Sequence, residues 1–392
     1  MKTMKGLMIR AEWAPKEGYE LKEVEKKRHL AYRSNMVWKN PVWAIESDIP
    51  LPSPKPNQVL IKIAACGVCG SDVHMLMKNK DDYIFFAGEA AFPVIIGHEF
   101  AGEIVEVGKE VKKLKVGDLV TVEECQWCGE CNPCRYGYYN QCEQLDQLGF
   151  DHPNNGAMAE FVVAEEKFCW LLNSLKEIYK VKDKILEAGA LIEPTCVAYE
   201  GIFSVAKSIQ PGGHVAVFGT GPIGLAAIQL LKTNGASTIF AFEPNPVRRV
   251  LAKIMGADFT YDPTDKSISI SSIVKERTYG AGVAMAVECA GEYNKTIPDM
   301  EKMLSVAGKI VLIGMGPEYP TIDPMAYHRT GAALFASIGH SGHGDFPSVI
   351  NLMAAGRINM LPCITSRFPL EKAIVGVQAA GAGKDAKVLI KP

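Results

Sequence analysis

The chain has 392 residues, 48% of them hydrophobic and 22% charged, with a formal net charge of −2. That length leaves room for two or three domains with sizeable cores, and the composition is that of an ordinary globular protein. The faintly acidic balance, with no long basic run, gives no electrostatic reason to bind nucleic acid or an anionic membrane, and no apolar stretch is long enough for a transmembrane helix.

Residues 1–57 read as irregular, with a strand at 6–11 and an extended, proline-punctuated loop at 51–56. An apolar run at 59–65 reads as a buried strand, and 95–108 and 118–122 as further strands joined by glycine turns. The pattern then changes. A helix is expected over 197–206, followed by strand 215–218, helix 222–234, strand 238–242 and helix 248–255, with short strands at 285–287 and 309–313. Strands alternating with helices predict a doubly wound parallel sheet. The expected fold class is therefore α/β: a β-rich domain over 1–195, a parallel-sheet domain over 196–337, and a C-terminal segment, 338–392, whose strand at 386–390 returns to the first domain.

Eleven cysteines without a visible secretory signature are expected to be reduced thiols, as in a cytoplasm. Four of them, Cys128, Cys131, Cys134 and Cys142, spell C-x2-C-x2-C-x7-C. Zinc favours four thiolates in a tetrahedron, and short C-x2-C steps let a tight turn offer neighbouring sulfurs to one ion, so this lobe reads as a structural zinc site. A second constellation runs from Cys66 through Cys69, Ser71, Asp72 and His74, and is followed by Gly97, His98 and Glu99. Thiolate, imidazole and carboxylate are all good zinc ligands, and a catalytic zinc takes three protein ligands and keeps a labile position.

Gly219-Thr220-Gly221-Pro222-Ile223-Gly224 is a G-x-G-x-x-G lying between an expected strand and an expected helix, the context a dinucleotide fingerprint requires. The helix start supplies free N–H groups for a pyrophosphate, and Pro222 is harmless in a first turn. Glu243 ends the next strand, where an acidic side chain accepts from an adenosine ribose 2′-hydroxyl and repels a 2′-phosphate. NAD is thus expected over NADP, although Arg248 and Arg249 stand nearby.

Taken together, the C-G-V-C-G-S-D-V-H and G-H-E-F-A-G-E-I-V-E-V-G runs, the four-cysteine lobe and G-T-G-P-I-G resemble, in the same order, the zinc-dependent medium-chain alcohol/polyol dehydrogenase family. The resemblance covers nearly the whole chain. It implies a GroES-like catalytic domain, a Rossmann domain, NAD, and one catalytic and one structural zinc per subunit. It also implies Cys69, His98 and Glu99 as ligands of the catalytic zinc, with Glu193 at the fourth position, directly or through water. By the same likeness Ser71 and His74 match the proton relay, and Asp72 matches a carboxylate that orients a ligand imidazole. Cys289, Ile313, Met315, Ser337 and Ile338 match loops lining the dinucleotide, and Lys387 falls near a basic position facing the pyrophosphate. A homo-oligomer, dimer or tetramer, is the family habit.

Two insertions, 22–49 and 78–92, depart from the family pattern, and the second precedes the His98 motif. Tyr83, Glu89, His340 and His343 are available there and elsewhere to read hydroxyls. Gly70 suits polyol and threonine types, and Cys125 stands where threonine dehydrogenases carry a functional histidine. The expected activity is oxidation of a polar secondary alcohol, a polyol or cyclitol of inositol or inosose type, with NAD. The alternatives are a threonine 3-dehydrogenase or simple alcohol dehydrogenase, a zinc-free quinone or enoyl reductase, a nucleic-acid zinc knuckle, and a redox sensor.

Overall fold

In the computed structural model, which describes residues 2–151, 156–316, 320–340 and 342–392, the chain divides into two units, Met1–Glu193 with Ile364–Pro392, and Pro194–Cys363.

The first unit is built on a seven-stranded sheet. Its main path runs Cys169–Leu171, Leu119–Val122, Glu99–Val107, Gln58–Gly67, Lys387–Lys391, Ile364–Pro369, with Phe161–Glu165 also pairing on Gln58–Gly67. Alternate residues of these strands, among them Val59, Ile61, Ile63, Ile104, Val120, Val122, Val388 and Ile390, bury one continuous apolar cluster. The N-terminal region is not irregular as expected: Thr3–Trp13 pairs antiparallel with Trp38–Pro50 along nearly its full length. The register shifts at Met4/Gly6 and Arg10/Glu12. Each shift moves the inward set to the other face, which breaks the period-two signal a strand normally shows.

The second unit holds six parallel strands in the order Phe259–Tyr261, Thr238–Phe242, His214–Phe218, Val283–Glu288, Leu304–Leu312, Ala333–Ala336. The chain order reverses between His214–Phe218 and Val283–Glu288, and ligands of doubly wound sheets bind outside the carboxyl ends at such a switch point. The expected helix after residue 197 begins earlier, at Ile192–Tyr199, and continues as a π-helical turn, Glu200–Val205.

The return to the first unit falls at Ile364, not at 338. The segment between stays with the second unit because helix Asp345–Ala354 buries Phe346, Val349, Ile350 and Met353. Side-chain bonds reinforce this: Ser204 donates to Asp345 at 3.1 Å, Gln229 to the Asn359 carbonyl at 2.9 Å and Thr233 to the Arg357 carbonyl at 3.1 Å. The returning strand is held by Arg367, which makes a two-pronged bond of 2.6 and 3.0 Å to Glu187 on helix Lys182–Gly189.

Candidate active site and metal centres

Cys69 caps the short helix Gly70–Met75, and its N–H donates to Asp72 Oδ2 at 2.8 Å. Glu99 opens strand Glu99–Val107 opposite Gly67. A Cβ at Gly67 would stand 2.1 Å from Glu99 Oε2, so only glycine leaves room for that carboxylate. These two elements bring ligand atoms of Cys69, His98 and Glu99 within 4.8 Å of one another.

His98 and Glu99 are buried. His98 Nδ1 lies 3.9 Å from Asp72 Oδ1, and neither atom has a hydrogen-bond partner. Asp72 thus faces the ring and stands where it can orient the imidazole. The converging donor set of thiol, imidazole and carboxylate fits zinc. Burial disfavours the charged imidazole, but Asp72, then Cys69 and Glu193, outweigh it and hold His98 well above the ordinary histidine range. Phe150 covers the ring at 4.6 Å.

Glu193 sits in the first turn of its helix, buried, and its charge is felt at His98. It is not among the three groups whose ligand atoms converge. Ser71 Oγ is buried without a partner, and His74 follows three residues later on the same face of the helix.

Lys387, expected near the pyrophosphate, is 2% exposed, and its ammonium donates to the Val68 carbonyl at 2.9 Å and to Glu99 Oε2. Strand Lys387–Lys391 runs beside Gln58–Gly67, and that pairing delivers the lysine to the floor of the Cys69–His98–Glu99 site.

In the cysteine lobe, the sulfurs of Cys128, Cys131, Cys134 and Cys142 also lie within 4.8 Å of one another, and all four are free thiols. Backbone N–H groups point at them. Glu130 and Cys131 donate to Cys128 Sγ at 3.3 and 3.4 Å, and Cys128 and Gln144 donate to Cys142 Sγ, each at 3.3 Å. The first two bonds lower the Cys128 thiol to about 7, whereas burial pushes Cys134 up to about 12. Four sulfurs at this spacing, with N–H donors suited to thiolates, fit a structural zinc.

The Cys125 thiol is buried, and it is raised by burial and by Glu124, to which it donates at 3.3 Å. Burial likewise raises Cys66, Cys169 and Cys289, the opposite direction from that of a reactive thiolate.

At the carboxyl edge of the parallel sheet, Gly219 has φ +81°, and a Cβ there would meet the Ala290 backbone at 2.9 Å. Gly221 caps helix Pro222–Thr233 with open space before its Cα, and Gly224 packs against the Gly219 carbonyl. Pro222 and Ile223 form the first turn. Glu243 accepts from Thr220 N–H at 2.8 Å and Asn245 N–H at 2.9 Å. Arg249 is committed to the Glu243 and Pro244 carbonyls and to Asp262, while Arg248 stands half-buried on helix Pro246–Met255.

Cys289, Ile313, Met315, Ser337 and Ile338 all follow the carboxyl ends of the next three strands, with Met315 and Ile338 exposed. Sequence reasoning missed two organisers here, Thr220 and Glu288. Glu288 is buried and accepts from Ala290 and Gly291 N–H at 3.1 and 3.0 Å. The signal for it was a lone acid ending an apolar strand.

Two family descriptions match the chain: Alcohol dehydrogenase GroES-like domain over residues 55–174, and Zinc-binding dehydrogenase over residues 222–355. It is 37% identical to scyllo-inosose 3-dehydrogenase of Thermotoga maritima, covering 94% of each chain. It is 33% identical to L-threonine 3-dehydrogenase of Caldanaerobacter subterraneus subsp. tengcongensis, covering 87% of this chain and 93% of that one. A solved structure from Thermotoga maritima superposes with TM-score 0.94 at 35% identity, over 99% of this chain and 100% of the other.

A GroES-like unit with a thiol–imidazole–carboxylate cluster, followed by a doubly wound parallel sheet, defines a medium-chain dehydrogenase. The chain belongs to the zinc-binding dehydrogenase family and is a zinc-type alcohol/polyol dehydrogenase acting on small alcohols. No helix among the described residues is long and apolar enough to cross a membrane.

Proposed function

We propose that this enzyme oxidises a secondary hydroxyl of a polyol or cyclitol, inositols and inososes included, and passes the hydride to NAD. The observation that carries the reading is the polar metal site: Cys69, His98 and Glu99 converge, with a further carboxylate, Glu193, close enough to act on His98. The 37% identity to a scyllo-inosose dehydrogenase over 94% of both chains supports the cyclitol class.

When bound, zinc supplies a Lewis acid that makes the alcohol hydroxyl more acidic, and the nicotinamide supplies the hydride acceptor. Cys69, His98 and Glu99 would hold that metal, and Glu193 the fourth place directly or through water. Asp72 fixes the Cys69 backbone and faces the His98 ring, so it holds two of these residues in position. Ser71 Oγ takes the hydroxyl proton, and His74 passes it to solvent from an exposed position. The carbon loses hydride and the oxygen loses its proton, leaving a ketone, NADH and one proton.

Glu243 supports NAD over NADP: its carboxylate is fixed by two N–H donors, and Arg249, which could have met a 2′-phosphate, is already committed. Gly219, Gly221, Pro222, Ile223 and Gly224 would cradle the pyrophosphate. Cys289, Ile313, Met315, Ser337 and Ile338 would line the rest of the dinucleotide. A homo-oligomer in a reducing, cytoplasmic compartment completes the reading, on family habit and the eleven free thiols.

The test is a screen of zinc-loaded enzyme for NADH formation on linear polyols, inositols, inososes, threonine and simple alcohols. Turnover on cyclic polyols or inososes is expected, and turnover confined to threonine or simple alcohols would overturn the substrate class.

A further inference from the structure

The two insertions, at 22–49 and 78–92, fold as one piece. Backbone bridges join Ala31 to Ala90 and Lys39 to Tyr83. Asn40 N–H donates to the Asp82 carbonyl at 2.8 Å, Ile84 N–H to the Trp38 carbonyl at 3.0 Å and Ser34 N–H to the Gly88 carbonyl at 3.1 Å. The Trp38 indole donates to the Ala90 carbonyl at 2.9 Å, and the Tyr83 hydroxyl to the Ala14 carbonyl at 2.8 Å. Within the second insertion, Asn79 Oδ1 accepts from Asp81 and Tyr83 N–H, closing the turn.

This braced hairpin ends on the helix that carries Ser71 and His74. Phe85 N–H donates to the Met77 carbonyl at 2.9 Å, and Phe86 N–H to the His74 carbonyl at 3.2 Å. The two phenylalanines then part. Phe86 packs on Phe150, the ring that covers His98. Phe85 stands edge-on to the His74 imidazole, centroids 5.2 Å apart at 67°. Both the backbone and the ring of His74 are therefore held by this hairpin.

We propose that the 78–92 hairpin, braced by 22–49, is a positioning element for proton release, and that Phe85 is the residue through which it fixes the imidazole of His74. The inference rests on the reading of His74 as the outer member of the relay. Phe85 touches neither reacting atom and acts only through the ring beside it.

Burial by the protein at its back lowers the His74 pKa, and no charged group contributes to the shift. On its own helix, Asp72 turns inward toward His98. On the hairpin, Lys78 and Asp82 neutralise each other at 2.6 Å. Helix Ala373–Gly381, which also packs on this helix, contains no charged residue. A lowered pKa keeps the imidazole neutral, and so able to accept a proton, further toward acid. Removing the phenyl ring should therefore raise it.

The experiment uses the full zinc-loaded chain and the variants Phe85→Ala, Phe85→Leu and His74→Gln, with scyllo-inosose and NAD as probes. The His74 ring is titrated by NMR, and the acid limb of kcat is measured alongside. Phe85→Ala should raise the His74 midpoint by about half to one pH unit and carry the acid limb with it. Phe85→Leu, which keeps bulk and guards against a folding defect, should stay near the parent, and His74→Gln should erase the limb. A folded Phe85→Ala enzyme whose His74 titration is unmoved overturns the inference. If the titration moves but the limb does not, and His74→Gln keeps that limb, the relay reading itself has failed, and the proposed role for Phe85 fails with it although the packing stands.

Discussion

The carboxylate of Glu243 accepts the backbone N–H of Thr220 at 2.8 Å, so the residue that would read the ribose also shapes the glycine turn that would hold the pyrophosphate. One side chain thereby couples two halves of a dinucleotide site. Glu243→Gln keeps the shape and one acceptor but loses the charge. A charge-assisted bond of this kind is worth about 1.5–3 kcal/mol, so kcat/KM for NAD should fall roughly tenfold or more. The preference over NADP should narrow at the same time. Measuring both cofactors separates the roles: an unchanged ratio with poorer use of both would leave Glu243 only the turn.

The two thiol clusters should separate by metal analysis. Cys69→Ala is expected to hold one zinc per chain instead of two, to lose turnover, and to keep NAD binding by fluorescence titration. Cys134→Ser is expected to strip the other ion and to lower the melting temperature, since structural zinc binding is coupled to folding. Turnover in zinc-replete Cys69→Ala enzyme would remove that thiol from the chemistry.

Lys387→Met tests which of the two roles that lysine serves, partner of Glu99 or contact for the pyrophosphate. In the zinc-free protein the substitution leaves the buried Glu99 carboxylate without its ammonium partner, and breaking a buried ion pair costs about 3–5 kcal/mol. Thermal unfolding should shift down accordingly, with turnover impaired through Glu99. The Kd for NAD should stay within about twofold, because the ammonium is spent on Val68 and Glu99. A large loss of NAD affinity in folded protein would restore the pyrophosphate role.

Much of this was legible in the chain because metal ligands and glycine turns are local. Cys128 to Cys142 and Gly219 to Gly224 are each read from one short stretch, and their chemistry depends on spacing alone. What sequence could not show was direction and long-range pairing. Lys387 sits 288 positions from Glu99 and meets it only because its strand lies beside Gln58–Gly67. Strand Trp38–Pro50 was hidden by register shifts in its pairing with Thr3–Trp13. The return point at Ile364 depended on which core the residues of helix Asp345–Ala354 chose.

That return strand supplies a pH test remote from the site. Burial alone would raise the Glu187 carboxyl, but bonds from Arg367 and Lys184, with Lys391 nearby, outweigh it and bring the group down to about 2 from an ordinary 4.5. A carboxyl depressed by folding adds stability that is complete above its unfolded value and is lost as pH falls from about 4.5 through about 2. The Arg367 and Lys184 side chains are 40% and 46% exposed, so solvent screens the pair. The contribution is then discounted to about 1–2 kcal/mol. Glu187→Gln should lower the melting temperature at pH 7 and flatten its fall between pH 5 and pH 3. If the variant and parent lose stability in parallel over that range, the depressed carboxyl is not Glu187, and the return strand is held by its apolar face alone.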